Sequence, residues 1–239
     1  MVSRIALVIA GGDPPPVDLF TTLPPPVYTV AADSGINHAR VLDLDVDVLV
    51  GDLDSADEIS VQWAADQGAT IDVHPTDKDQ TDLELALEAA VDAAAELDLD
   101  ELVVIGLAGG RVDHWLANLL TLAGPLTASI DVTAYVGRSR ISVVRGTRSL
   151  DGRPGELISL LPVGGPVHGI TTTGLEYPLR GETLDAGSSR GVSNVFDRAA
   201  STGESDASAA NPVVSAVIDV ASGTLLAVQP QRLPASTIR

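Results

Sequence analysis

Cysteine is absent from this 239-residue chain, which excludes disulfides, zinc–thiolate centres and cysteine nucleophiles. Lysine is nearly absent: Lys78 stands alone, so the other thirteen of the 14 basic residues are arginines. Aromatic residues make up only 3% of a chain that is 45% apolar, so its core must be built from Val, Leu, Ala and Ile. Positive charge is scarce as well. A net charge of −19 leaves no basic surface to follow a nucleic-acid backbone. A small polyphosphate is still acceptable, because divalent cations can neutralise it. Long hydrophobic runs are missing too. The opening MVSRIALVIAGG is too short to span a membrane and lacks a signal-peptide cleavage pattern. It reads as a first buried strand, and the expectation is a cytoplasmic protein with no membrane partner.

What is present is an alternation. Apolar runs rich in Val and Ile predict strands at Ile5–Ala10, Tyr28–Ala32, Val46–Val50, Thr70–His74, Leu102–Leu107 and Ile130–Val136. Helical stretches near 34–43, 57–67, 81–97 and 112–123 lie between them. In the segment 81–97, Leu83, Leu87, Ala90, Ala94 and Leu97 form one apolar stripe, and Thr81 with Glu84 makes a capping-box signature. Beyond residue 138 helical periodicity stops. Short β-type runs follow at Ile141–Arg145, Glu156–Pro162, Val167–Thr173, Ser193–Phe196, Val213–Val220 and Thr224–Val228. Turn dipeptides such as Asp151-Gly152, Gly164-Gly165 and Ser222-Gly223 separate them. The expected fold class is therefore α/β. An N-terminal, mostly parallel α/β sheet domain (1–140) precedes an all-β antiparallel sandwich or barrel domain (141–239). Residues 200–212 read as a flexible loop, and Gln229–Arg239 as a loose tail.

Four polar motifs each follow a predicted strand: AADSG (Ala31–Gly35), GDLDS (Gly51–Ser55), TDKDQTD (Thr76–Asp82) and GGRVDH (Gly109–His114). A parallel sheet gathers all its strand C-termini on one edge, where ligands bind and helix N-termini offer free amides. Asp33, Asp52, Asp54, Asp79, Asp82 and Asp113 would then share one crevice. So many carboxylates must either raise their pKa values or bind cations. Hard oxygen donors without a histidine or thiolate set select Mg²⁺, which completes its shell with substrate phosphates and water. Asp52 and Asp54, two apart, face one side if the chain stays extended.

Each element has a simpler explanation when taken alone. Asp82 at a helix N-terminus stabilises the dipole by roughly 0.3–1 kcal/mol. Asp52 and Asp54 could serve an Asx turn. His114 could merely start a helix, and Arg111 could sit on the surface. For the crevice to be inert, all of these would have to hold together.

In order and spacing, GDLDS, KDQTD and GGRVDH resemble the motifs of the thiamine pyrophosphokinase (thiamine diphosphokinase) family. AADSG is similar to that family's AADGG-like segment, with Ser34 at a position where glycine is common. In the second half, TGLEYPL (Thr173–Leu179) and SSRGVSN (Ser188–Asn194) look like its thiamine-binding domain. The resemblance runs from about residue 5 to 228. It implies an ATP/Mg-binding catalytic domain followed by a thiamine-binding domain. The implied reaction passes the β,γ-diphosphoryl group of ATP to the hydroxyl of thiamine, giving thiamine diphosphate and AMP. It also implies a homodimer with active sites at the subunit interface. By the same resemblance, Asp52, Asp54 and Asp82 form the Mg²⁺ site. Asp79, Arg111 and Asp113 join them in catalysis. Asp33, Lys78, Thr81, Gly110 and His114 are expected to bind substrate, Lys78 at the phosphates, and Ser193 and Asn194 are expected to meet the aminopyrimidine of thiamine. Phe196 is the aromatic nearest that motif.

Two rivals share part of this pattern: a diphosphokinase acting on a hydroxymethyl pterin, and a nucleotide- or thiamine-binding regulator without catalysis. A nicotinamide dehydrogenase is disfavoured, because GGDPPP replaces the G-x-G-x-x-G turn after the first strand.

Overall fold

The apolar runs of the first half assemble as a parallel sheet. The computed structural model describes residues 3–198 and 213–230. Its chain divides into two compact units, one reaching Gly137 and the next beginning at Arg138. The first unit holds strands β1 (Ile5–Ile9), β2 (Tyr28–Ala32), β3 (Val48–Gly51), β4 (Thr70–Val73), β5 (Glu101–Ile105) and β6 (Asp131–Val136). All pair in parallel, in the order β4-β3-β2-β1-β5-β6. The central β1, IALVI, is buried along its whole length, as a strand covered on both faces should be. At the edge, β4 exposes Thr70, Asp72 and Val73.

Helices α1 (Gly35–Val41), α2 (Glu58–Asp66), α3 (Asp82–Leu97) and α4 (Val112–Leu122) fill the connections. A short 3₁₀ turn at Val17–Thr21 has no counterpart in the sequence expectations. The apolar stripe of α3 buries Leu83, Ala86, Leu87, Ala90 and Ala94 against β1, β2 and β3. Thr81 caps this helix, its Oγ1 accepting the Glu84 N–H at 3.2 Å, and Asp98 ends it at a positive φ of 54°. The chain moves outward from β1 to β4, then returns to place β5 on the other flank of β1. In open α/β sheets a switch of this kind commonly parts the loops on its two sides.

The second unit is antiparallel, with strands β7 (Ser139–Val144), β8 (Arg148–Gly152), β9 (Leu157–Thr173), β10 (Arg180–Leu184), β11 (Asn194–Val195), β12 (Val214–Asp219) and β13 (Ser222–Gln229). They run in the order β7-β13-β9-β12-β8, and β10 and β11 also pair with β9. Three features differ from the sequence reading. Gly164-Gly165 does not end a strand; β9 is continuous through it and changes partner there. Its first half pairs with β13, and its second half with β10 and β12. Both glycines have positive φ, 76° and 159°, so the pair bends the strand where a turn was expected. β8 and β10 are additional strands. Gln229 is not tail: it ends β13, 1% exposed, and its Oε1 accepts from Arg140 Nε at 2.8 Å. The loop expected at 200–212 and the tail from 231 lie outside the described residues.

The core of this unit gathers Leu150, Ile158, Leu160, Val167, Ile170, Leu184, Ile218 and Leu225 around the fully buried Phe196. Gly152 sits directly against that ring, and a Cβ there would lie 2.6 Å from three of its carbons. Replacing Phe196 by Ala is expected to cost about 3–5 kcal/mol of this unit's stability, read as a lower urea midpoint. An unchanged midpoint would show that the ring is not a core element.

Candidate active site

Four of the predicted motifs do follow strand C-termini of the parallel sheet. β2 ends at Ala32, and Asp33 follows with φ 45°, its N–H bonded to the Val50 carbonyl at 2.9 Å. Ser34 then caps α1. β3 ends at Gly51, whose φ of 144° favours glycine. A Cβ at Gly51 would lie 3.0 Å from Asp82 Oδ1 and 3.2 Å from Asp33 Cβ. Glycine here lets two acidic side chains close over the backbone. Asp82 is the first residue of α3, where its charge faces the positive end of the helix dipole.

These elements bring Asp33, Asp52 and Asp82 together, with one oxygen of each within 4.8 Å of the others. Asp54 is not in that group. Leu53 takes a positive φ of 60°, so the chain turns after Asp52, and Asp52 Oδ1 accepts the Asp54 N–H at 3.3 Å. The extended backbone that would put Asp52 and Asp54 on one side is therefore absent. Asp54 is exposed and accepts from Ser55 Oγ at 2.9 Å. Asp33 occupies the place in the cluster that the spacing suggests for Asp54.

Lys78 enters the same cluster, its Nζ 3.0 Å from Asp82 Oδ1 and 3.8 Å from Asp52 Oδ2. Its hydrogen bond to Asp82, helped by the charges of Asp82, Asp52 and Asp33, holds its ammonium above the ordinary pKa. The Asp54 N–H, then Lys78, draws the Asp52 carboxyl below its usual range against the cost of desolvation. Asp33 goes the other way. Burial raises its pKa, and the charges of Asp82 and Asp52 add to that, against the Ser34 and Ser55 N–H groups. Asp33 Oδ1 is buried with no hydrogen-bond partner among the described residues. Three hard oxygen donors, one with unused buried lone pairs and only one lysine to offset them, suit a small divalent cation such as Mg²⁺.

The other site residues expected in the first unit lie on more open surface. Asp79 and Thr81 are exposed at the start of α3. Gly110, Arg111, Asp113 and His114 are exposed at the start of α4. Arg111 forks onto Asp113, Nη2 to Oδ2 at 2.6 Å and Nε to Oδ1 at 3.2 Å. This fork leaves Arg111 a fixed, charged end to the GGRVDH loop.

In the second unit, Ser193 is exposed at φ 62°, with its N–H on Ser159 Oγ at 3.0 Å. Asn194 is buried. Its Nδ2 donates to the Tyr177 carbonyl at 2.7 Å, and its Oδ1 accepts the N–H groups of Tyr177 (3.1 Å) and Val195 (2.8 Å). The amide thus holds the Tyr177 backbone in place. Phe196 is 0% exposed and has no face to offer a ligand, whereas Tyr177 is 61% exposed. Tyr177 is the residue that sequence reasoning passed over. Its signal was available, because it sits inside TGLEYPL and is the only other aromatic from residue 138 onward.

The Arg111 fork carries a pH prediction. It depresses the Asp113 carboxyl from 3.8 to about 2. A depressed carboxylate keeps its pairing above the unfolded value and loses it only as pH falls through the folded one. Asp113 should therefore titrate near 2 by carboxyl-resolved NMR, and Arg111→Met should return it toward 3.8. A normal titration in the unaltered protein would rule the fork out in solution.

Residues 25–134 match the family described as thiamin pyrophosphokinase, catalytic domain, and residues 143–204 the thiamin pyrophosphokinase, vitamin B1 binding domain. The thiamine pyrophosphokinase of Bacillus subtilis (strain 168) is 30% identical over 166 residues, covering 67% of this chain and 76% of the relative. Thiamine pyrophosphokinase 3 of Oryza sativa subsp. japonica is 27% identical over 157 residues, 62% of this chain and 58% of its own length. A solved family protein from Enterococcus faecalis superposes with a TM-score of 0.70 at 26% identity, over 95% of this chain and 98% of that one. The thiamin pyrophosphokinase of Candida albicans, at 16% identity, shares the fold with a TM-score of 0.72 over 94% of this chain and 89% of that one. The pterin and non-catalytic alternatives are not favoured by these relatives. With both domain families matched in order and the fold shared over nearly its whole length, the chain belongs to the thiamine pyrophosphokinase family of enzymes.

Proposed function

We propose that this chain transfers a diphosphoryl group from ATP to the hydroxyl of thiamine, releasing thiamine diphosphate and AMP. The observation that carries the proposal is the Asp33–Asp52–Asp82 cluster with its buried, unbonded Asp33 oxygen. Asp33, Asp52 and Asp82 would hold Mg²⁺, with the exposed Asp54 at the rim. Bound there, the ion would supply neutralisation of phosphate charge and polarisation of the phosphorus–oxygen bonds.

The protein's own groups do the rest. Lys78 supplies a charged ammonium beside the carboxylates for the phosphates. Asp113 orients Arg111, whose planar fork can take the charge that builds on the phosphate oxygens as bonds break. Gly110 leaves the backbone open beside it, while Thr81, Asp79 and His114 complete the surface on the nucleotide side. On the thiamine side, Ser193 presents a hydroxyl, and Asn194 fixes the loop that carries the exposed Tyr177 ring. Diphosphoryl transfer asks mainly for positioning and charge neutralisation, which these groups can supply.

We further infer a homodimer with active sites at the subunit interface. It is supported by α4, where Val112, Leu116 and Leu120 recur at four-residue spacing and are 66%, 52% and 59% exposed. Among the described residues, no helix is long and apolar enough to cross a membrane. We infer a cytoplasmic location.

Purified protein with ATP, Mg²⁺ and thiamine should form thiamine diphosphate and AMP in equal amounts. A hydroxymethyl pterin should not replace thiamine, and chelation by EDTA should stop turnover. Asp82→Asn or Asp52→Asn should lower kcat by about 10²-fold or more, with little change in the unfolding midpoint. AMP release by either variant at the unaltered rate would remove the metal assignment. A protein that turns over the pterin instead would remove the substrate assignment.

A further inference from the structure

The loops that follow β1 and β5 ought to part at the switch in strand order, yet they are laced together. The parallel ladder of β1 and β5 runs on past both strands: Ala10 N–H bonds Ile105 O at 2.9 Å, Gly12 N–H bonds Gly106 O at 2.8 Å, and Asp13 N–H bonds Ala108 O. No side chain fits between them. A Cβ at Gly12 would collide with the Gly106 and Ala108 carbonyls, and one at Gly109 would come within 2.7 Å of Asp13 N and Oδ1. Gly109 leads directly to Gly110 and Arg111. The position of the arginine loop is thus set by the β1 loop.

A side chain from a third element holds the β1 loop in turn. His38, half-buried in the last turn of α1, places Nε2 2.6 Å from the Gly12 carbonyl. A carbonyl can only accept, so Nε2 carries the proton. The same helix starts beside Asp33, and its first residue, Gly35, lies directly against the Ile9 carbonyl. We propose that His38 is a positioning residue for the triphosphate. Through Gly12 and the laced loops it holds the Gly109–Arg111 segment at a fixed height relative to the carboxylates. It touches neither substrate nor the reacting atoms. Asn118 of α4 makes a parallel contact, with Nδ2 on the Leu107 carbonyl at 3.1 Å.

This inference rests on the proposed activity, so its test has an arm that does not need turnover. His38→Phe keeps the bulk and removes the donor, while His38→Gln keeps an amide N–H at similar reach. In hydrogen–deuterium exchange without ligands, His38→Phe should speed exchange of the Gly12 and Asp13 amides, which donate to the Gly106 and Ala108 carbonyls, with β1 and β5 unchanged. His38→Gln should restore protection. In steady-state assays, His38→Phe should raise KM for MgATP roughly three- to tenfold, as loss of one hydrogen bond allows, with KM for thiamine within about twofold. Unaltered exchange at the Gly12 and Asp13 amides in His38→Phe would overturn the proposal. So would a parallel rise in both KM values, or a His38→Gln variant as impaired as His38→Phe. If the unaltered protein makes no thiamine diphosphate, the activity proposal fails, and the exchange arm still decides the role of His38.

Discussion

Mutual repulsion among carboxylates is the constraint on which the catalytic half turns. Asp33, Asp52 and Asp82 are held within 4.8 Å by three separate pieces of backbone, and folding gains nothing from bringing like charges together. The sheet supplies the rigidity that imposes this. Asp33 is tied to β3 through the Val50 carbonyl, Gly51 removes the side chain that would wedge the acids apart, and Thr81 pins the helix that starts with Asp82. Lys78 offsets part of the excess charge. The remaining excess of negative charge is what a divalent cation would balance.

Much of this was legible from residue order. The alternation of apolar runs and helical stripes placed β1 to β6 and α1 to α4 within a few residues. The expectation that four acidic or glycine-rich motifs follow strand ends agrees with the fold. The membership of the acid cluster was not legible. Whether Asp52 and Asp54 share a side depends on the φ of Leu53, and leucine has no sequence signature for a left-handed turn. In the second unit, Gly164-Gly165 reads as a turn because glycine serves both turns and bends. Only the partners available to each half of β9 decide between them. Phe196 and Tyr177 pose the same difficulty, since exposure of an aromatic is a property of packing and not of its neighbours in sequence. His38 carries no motif at all, and its role emerges from one contact with a backbone carbonyl.

The two units solve the scarcity of aromatics differently. The first relies on small and branched side chains, Ala, Val, Ile and Leu, filling both faces of a parallel sheet, which suits close approach of helices and of glycine loops. In the second, a single phenylalanine is the large piece around which aliphatic residues arrange, and Gly152 yields space to it. Glycine thus serves two ends. Near the acid cluster it admits charge and backbone to one another, and in the β unit it admits a ring.

The long strand β9 has a consequence for synthesis. It hydrogen-bonds to β10, β11, β12 and β13, and the last of these to leave the ribosome, β13, is also the partner of β7. The ladder of the second unit therefore closes only when nearly all of the chain has been made, by contacts between residues far apart in sequence, which form slowly. The six strands of the parallel sheet have all been made by Val136, have no such dependence and can pair first during translation. Until the final strand arrives, the long middle of β9 waits with open edges.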